Sequence, residues 1–515
     1  MINERQDSPL SLMIAGSNEF VRRLSAALQS AGRYQEFVRV CPTHLPELRS
    51  AITSERPDIL LIDIGLSTTP SDVDWLREVL SYARDRIGQG LHILIAATAP
   101  ERFYYVGDLL FQKDGPAVPS HLIDSLIISP PPGALGSPSL EEQLFDLLDH
   151  LLELRSRNDP QLPQLPTLSS DSWAPALCDP SSRAIWMRWL PRFARYTSES
   201  PLIVGPSGSG KTKLAAALHY LSGRKGPFVS MTPRDFSSNE LVQAELFGAV
   251  PGAYTGAVEK WGLVHKAEKG TLFIDELQSI DRDLQGKLIT FVESKAYRRV
   301  GEAESHQADV RFVFATNRPL PELVASGALR DDFAYRLERL QIELKPLHER
   351  RLDIAAGLCF ALAKVARERQ TSPATATRQE VVEGLSQGAY RRLYAAAWPG
   401  NLRQLENAVA KLIENTQVER LRCIQEHQVD ETLQGMLGYR PPSASDLFSR
   451  AAAIVAVEAE RDGISRIGEL SERLVASARR LSLEAVSGDV EKAAALIGDS
   501  AEELSVFAVA GEKGR

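Results

Sequence analysis

The residues with the clearest chemistry stand together at 205–212. They are Gly205, Pro206, Ser207, Gly208, Ser209, Gly210, Lys211 and Thr212, the full G-x-x-x-x-G-K-T pattern. Glycines let a backbone wrap a polyphosphate and turn its N–H groups inward, and a following helix adds the partial positive charge of its N-terminus. A lysine at the seventh place bridges β- and γ-phosphates, and the next hydroxyl ligates Mg²⁺. A second group lies downstream. Gly270-Thr-Leu-Phe-Ile274 runs into Asp275 and Glu276. In P-loop nucleotidases an aspartate there holds Mg²⁺, and the adjacent Glu276 is suited to polarise an attacking water as general base. The two groups together predict hydrolysis of the β–γ bond of ATP, with Lys211 on the phosphates and Thr212 and Asp275 on Mg²⁺.

These side chains need elements to aim them. The apolar run Leu202-Ile203-Val204 before the glycine loop predicts a strand, and the helix-period stretch Lys213 to Leu221 predicts the helix after it. Strand, loop and helix are the context the motif requires. The run before Asp275 predicts a buried strand that delivers both carboxylates to the same edge.

The chain has 515 residues, a length that suggests about three domains. Apolar residues make up 43% and charged residues 24%, which excludes a disordered or collagen-like chain. The net charge of −8 argues against a protein that coats nucleic acid over its whole surface, though not against a local contact. Four cysteines (Cys41, Cys178, Cys359 and Cys423) lie far apart, with neither zinc-ligand nor redox spacing. A reducing cytoplasm is expected. No apolar run approaches the ~20 residues of a membrane helix.

Composition divides the chain. Residues 1–130 alternate short apolar runs with amphipathic stretches, which predicts a doubly wound parallel sheet. Residues 131–179 are proline-rich and read as a linker. One stretch in it, Ser139 to Arg157, puts Leu140, Leu144, Leu147, Leu148, Leu151 and Leu152 on one helical stripe. It suits a helix packed on its own domain or a short dimerising or signalling helix. Residues 180–345 read as a second α/β domain and 346–435 as a helical one, broken at Trp398-Pro399-Gly400. After Pro441-Pro442, residues 443–515 read as a helical tail.

Between the two nucleotide motifs lie Glu245-Leu246-Phe247-Gly248 and then Gly252, Ala253, Tyr254, Thr255, Gly256 and Ala257. This string resembles the surface loop of AAA+ ATPases that activate sigma-54 RNA polymerase, the bacterial enhancer-binding proteins. The family loop usually has Phe where this chain has Tyr254. The resemblance implies a loop that contacts sigma-54 and moves with the nucleotide state. It continues through Phe314-Ala315-Thr316-Asn317, where Asn317 is similar to the family's sensor I, and through Leu329 to Leu337, where Arg330 and Arg336 take the arginine-finger places and would reach a neighbouring subunit's ATP. Trp398 to Leu405 resembles the sensor II motif, with Arg403 leaning onto the phosphates. A ring of subunits, by resemblance a hexamer, is implied. Three positions depart from the pattern. The family's Asn after its second strand, which gates the catalytic Glu, is missing from Val229-Ser230-Met231-Thr232-Pro233, where Thr232 is the nearest polar substitute. His265 replaces a family Glu, and Lys269-Gly270 replaces a double glycine.

The N-terminal segment resembles a response-regulator receiver in outline. Asp63 takes the phosphoacceptor place and Thr98 the switch hydroxyl. Its Mg²⁺-binding acidic pair is replaced by Ala15-Gly16-Ser17-Asn18, and its lysine by Ser129 before Pro130. Mg²⁺ then lacks hard oxygen ligands, so a pseudo-receiver is expected, controlled by a ligand or partner or serving dimerisation. The tail around Leu483 to Ser500 resembles a Fis-type helix-turn-helix with its turn at Gly498, but residues 441–515 carry 9 basic and 13 acidic side chains. Phosphate repels such a tail. Upstream promoter DNA is bound weakly through avidity, or the fold has lost that role. The expectation overall is an α/β multidomain chain with a receiver-like N-terminal domain, an AAA+ P-loop domain with helical lid and a degenerate Fis-like end. It would act as an ATP- and Mg²⁺-dependent activator of sigma-54 polymerase. The rival is an AAA+ remodeller of another protein with no DNA role.

Overall fold

The computed structural model describes residues 10–32, 38–43, 47–66, 70–87, 91–110, 123–132, 134, 137–156, 178–368, 381–436, 455, 467–486, 490–502 and 504–505. Much of the proline-rich 131–179 segment and of the 443–515 tail lies outside them.

The first sheet is built from β1 (Leu10–Ala15), β2 (Val38–Thr43), β3 (Ile59–Asp63), β4 (His92–Ala97) and β5 (Ser125–Ile128), all parallel in the order β2-β1-β3-β4-β5. Helices α1 (Asn18–Ser30), α2 (Leu48–Glu55), α3 (Pro70–Ile87) and α4 (Phe103–Leu110) make the crossovers. β3 and β4 are buried along their whole length, as a sheet covered on both faces demands. The leucine stripe of α5 (Leu140–Ser156) is spent within this chain. Leu140, Leu144, Leu147, Leu148 and Leu151 are buried in one core with Leu12, Ile14, Leu61, Trp186 and Leu190. Of the two readings of this stripe, the packed helix is the one observed.

Helix α6 (Pro180–Ala184) runs through a π turn into α7 (Leu190–Arg195) and leads to the second sheet. This sheet comprises β6 (Leu202–Val204), β7 (Phe228–Met231), β10 (Thr271–Ile274), β13 (Arg311–Thr316) and β14 (Gln341–Glu343), parallel in the order β14-β6-β13-β10-β7. Its connections carry α8 (Lys211–Leu221), α9 (Asn239–Phe247), the short hairpin β8 (Gly248–Ala249) and β9 (Lys260–Trp261), α10 (Leu263–Lys266), α11 (Arg282–Ser294), the pair β11 (Ala296–Tyr297) and β12 (His306–Gln307), α12 (Leu320–Ala325) and α13 (Asp331–Glu338).

The region after β14 is helical, with α14 (Leu352–Glu368), α15 (Gln387–Ala395), α16 (Asn401–Val418) and α17 (Glu426–Gln434). It also holds a parallel pair absent from the sequence reading, β15 (Gly384–Leu385) with β16 (Cys423–Ile424). α14 is buried nearly all round because it is covered on two sides: by α16 and by α4 of the first domain. At the α4 crossing the backbones nearly touch, and a Cβ on Gly107 would lie 1.9 Å from the Cys359 carbonyl oxygen. Arg102 pairs with Glu383 at 2.9 Å and the Tyr390 hydroxyl donates to the Ser129 carbonyl at 2.9 Å across the same interface. In the tail, α18 (Ile467–Ala485) packs on α19 (Val490–Ile497); Ala493, Ala494 and Leu504 are buried, and Gly498 turns the chain at φ +73°.

Candidate nucleotide site

The phosphate loop leaves β6 at Gly205 and enters α8 at Lys211. Gly208 (φ +75°) and Gly210 (φ +106°) adopt the left-handed conformation that glycine takes without steric cost. Gly208 has a second reason to lack a side chain, since a Cβ there would lie 2.3 Å from the Gly400 carbonyl oxygen. The Lys211 side chain is buried, and its Nζ donates to the carbonyls of Gly205 at 3.0 Å and Pro206 at 3.2 Å. Burial pushes its ammonium below the usual lysine range, partly offset by the charges of Asp275 and Glu276. An ammonium held by two carbonyls, with no carboxylate bonded to it among the described residues, is suited to take anionic oxygens. Ser209 Oγ is buried with no hydrogen-bond partner among the described residues, a polar atom that a phosphate oxygen would satisfy. Thr212 is exposed at the mouth of the loop.

β10 delivers Asp275 and Glu276 to the same edge, both half-buried. Glu276 sits at φ +54°, uncommon for a residue with a Cβ, and its N–H is held by Asp275 Oδ1 at 2.8 Å. The side chain that reaches Glu276 is Arg234, at 3.2 Å from a 3-10 turn over Pro233–Asp235. Thr232, expected as the nearest polar substitute, caps that turn without a side-chain hydrogen bond. Arg234 stands two residues past Thr232, and a charged residue beyond a proline carries no local sign that the turn brings it back over β10.

Asn317 follows β13, and its Oδ1 accepts from Gln278 Nε2 at 3.0 Å while Thr316 Oγ1 donates to Gln278 Oε1 at 2.9 Å. Gln278, three residues past Asp275, thus ties two strand ends together and was not legible in any motif. Arg403 is exposed on the first turn of α16; its Cβ comes 3.3 Å from the Cβ position of Gly208, and its charge is felt at Lys211. The structure therefore gathers the 205–212 loop, Asp275, Glu276, Asn317 and Arg403 at one end of the sheet. Arg330 and Arg336 are not brought to it. Arg330 is the N-cap of α13 and pairs with Asp332 at 2.7 Å, and Arg336, in the last turn of the same helix, pairs with Glu293. Both lie partly exposed.

The loop 252–257 projects from the β8–β9 hairpin. Gly252 and Gly256 both have φ +84° with open space where a Cβ would stand. Two turns, closed by Ala253 N–H to Val250 O and Ala257 N–H to Tyr254 O, shape the tip and leave Thr255 exposed. At its base, Val250 and Gly248 exchange backbone hydrogen bonds with Val300, at 3.1 and 2.9 Å, in the loop joining β11 to β12.

A parallel sheet of this order, a glycine cradle with buried lysine, a paired strand-end Asp-Glu and a helical cap reaching over the loop define a P-loop ATPase domain of the AAA+ class. Residues 186–343 match the family described as the Sigma-54 interaction domain, and residues 348–438 match the AAA+ ATPase lid domain. This part of the chain is similar to the AAA+ ATPases of sigma-54-dependent regulators. It is 40% identical over 217 residues to the alginate biosynthesis transcriptional regulatory protein AlgB of Pseudomonas aeruginosa, covering 42% of this chain and 46% of that protein. It is also 40% identical over 212 residues to the Nif-specific regulatory protein of Herbaspirillum seropedicae, covering 41% and 37%. The chain spans about half the length, or less, of these two relatives. The structure of NtrX from Brucella abortus aligns over 96% of this chain and 98% of its own, at 19% identity and a TM-score of 0.47.

Proposed function

We propose that this chain hydrolyses ATP and uses the cycle to remodel the closed complex of sigma-54 RNA polymerase into the open one. The observation that carries the reading is the exposed, glycine-hinged Gly252 to Ala257 tip on the same domain as a complete phosphate site. Lys211 and the loop amides would hold the β- and γ-phosphates. Thr212 and Asp275 would hold Mg²⁺, which would supply charge neutralisation at the γ-phosphate. Glu276 takes the proton of the attacking water, Asn317 senses the γ-phosphate and Arg403 leans on it from the lid. Arg330 and Arg336 would serve the neighbour's ATP in a ring, by family resemblance a hexamer.

In this reading residues 1–130 are a pseudo-receiver regulatory domain, 131–179 its connection, 180–345 and 346–435 the ATPase and its lid, and 443–515 a degenerate Fis-like helix-turn-helix. The Ala493–Leu504 contact and the Gly498 turn support that last element. Its acidic balance supports DNA binding only through the avidity of an assembled ring.

The decisive measurement is open-complex formation by sigma-54 polymerase with the parent protein and with Thr255→Ala. The variant is expected to keep ATP hydrolysis within about twofold and to lose open complexes. Undiminished open complexes would overturn the loop assignment. ATP hydrolysis without any open-complex formation by the parent would favour the remodeller of another protein.

A further inference from the structure

Three consecutive carbonyls of the phosphate loop are held from behind by groups outside the loop. The Ser207 carbonyl accepts from Asn401 Nδ2 at 2.9 Å, the Gly208 carbonyl from the Leu402 N–H at 3.0 Å and the Ser209 carbonyl from Arg350 Nη2 at 2.7 Å. All three donors belong to the lid or to the segment entering it. In a planar trans peptide the N–H points opposite to the C=O of the same unit. Holding the Ser207 and Ser209 carbonyls outward therefore aims the N–H groups of Gly208 and Gly210 the other way, into the cradle. Among the described residues neither of these N–H groups has a protein acceptor. The Ser209 N–H, aimed by the middle contact, closes the loop on the Pro206 carbonyl at 3.2 Å.

The donors are themselves locked. Asn401 is 1% exposed at φ +54°, and its Oδ1 accepts the Leu347 N–H at 2.7 Å. Arg350 is 1% exposed and also bonds the Lys345 carbonyl at 3.0 Å and Asp353 at 3.1 Å. Asp353 in turn accepts from the N–H groups of Cys178 and Asp179, at 2.8 and 2.9 Å, and from Ser182 Oγ. Leaving Ser209 would strand a buried charged donor without its acceptor, which is costly, so Arg350 has little freedom to move away.

We propose that Asn401 and Arg350 are positioning residues that preset the phosphate-binding amides by clamping the loop's carbonyls. Lid placement and phosphate affinity are then one equilibrium, and Asp353 extends the clamp to the 178–182 segment where the chain enters the ATPase. This deepens the ATPase reading above and rests on it. The clamp acts on the β-phosphate grip, not on the base or the adenine.

The test is equilibrium titration of the full chain with ADP and with AMP, together with steady-state ATP hydrolysis. Asn401→Asp keeps the acceptor for Leu347 and replaces the donor with a carboxylate oxygen facing Ser207. Asn401→Gly keeps the left-handed backbone and removes the side chain. Arg350→Lys keeps charge and a single donor. Each is expected to weaken ADP at least tenfold while AMP stays within twofold, and to raise KM for ATP with kcat within threefold. Arg350→Lys should fall between the parent and the Asn401 variants. ADP affinity within twofold of the parent in any folded Asn401 variant would overturn the proposal. Equal loss of ADP and AMP in Asn401→Gly and Arg350→Lys would overturn it too, because that is a general collapse of the site. A parent chain that binds neither nucleotide would overturn the ATPase reading itself and the clamp with it.

Discussion

The chain carries two five-stranded parallel sheets, each with an aspartate at the end of a buried strand, and they put that edge to opposite uses. At the end of β10, Asp275 and Glu276 face a glycine cradle, a buried lysine and an arginine from the lid. At the end of β3, Asp63 faces its own domain. It accepts the Thr98 hydroxyl at 2.6 Å and the Gly65 N–H at 3.0 Å, and is buried. In the neighbouring loop Gly16, Ser17 and Asn18 offer no carboxylate. Ser17 is spent as the N-cap of α1, accepting from the Phe20 N–H, and the Phe20 ring lies 2.5 Å from where a Cβ of Gly16 would stand. No lysine follows β5. Topology offers a site at the carboxyl ends of parallel strands, but residues decide whether it opens. The first sheet spends its strand ends on closure, and its α4 is fused to the lid through a shared apolar core.

The sharpest way to break this contrast is to neutralise each carboxylate. Glu276→Gln should lower ATP turnover by about a hundredfold or more, the usual contribution of a positioned general base, with ATP affinity retained. A coupled-enzyme assay alongside nucleotide titration checks both halves. Turnover within a few-fold of the parent would remove Glu276 from the mechanism. The same kind of change at Asp63 should leave turnover unmoved. A smaller effect belongs to Arg234. Its ion pair with Glu276 is largely exposed on the arginine side, and such pairs contribute at most about 1 kcal/mol. Arg234→Ala frees the carboxylate and should raise basal turnover by no more than about fivefold. A hundredfold loss instead would make Arg234 a direct phosphate ligand.

The difference between the sheets was partly legible from the chain alone. Contiguous motifs carry their own chemistry, so the cradle, Asp275-Glu276 and the 252–257 tip could be placed before any fold was known. The missing acidic pair and lysine of the N-terminal domain could be placed in the same way. Contacts between residues far apart in sequence could not. Arg234 reaches Glu276 over 42 positions, Arg350 reaches Ser209 over 141 and Asn401 reaches Ser207 over 194. Nothing local to any of them names its partner, even where, as at Asn401, the surrounding stretch resembles a known motif. The α5 stripe was ambiguous for a related reason. A leucine face reports that something covers it, and only the position of α6 and α7 says what.

The subtlest expectation concerns Asp63 itself. Burial raises its carboxyl above the ordinary range, and the hydrogen bonds from Thr98 and Gly65 offset this only in part. A carboxyl whose native pKa exceeds its unfolded value binds its proton more tightly when folded. Its contribution to stability is full below the unfolded pKa and is lost as pH rises through the native one. Above that range folding must either bury the carboxylate's charge or take up a proton to remove it. Asp63→Asn removes that charge and keeps an oxygen for both donors, whose bonds are worth about 1 kcal/mol each. The variant should be at least as stable as the parent in urea at pH 7. Its advantage should shrink as pH falls and vanish below the ordinary carboxylate range. A variant clearly less stable at pH 7, or an advantage that grows on acidification, would mean that Asp63 is held as a needed anion. The first sheet would then have an open charged site after all, and the contrast with the second would fail at its central residue.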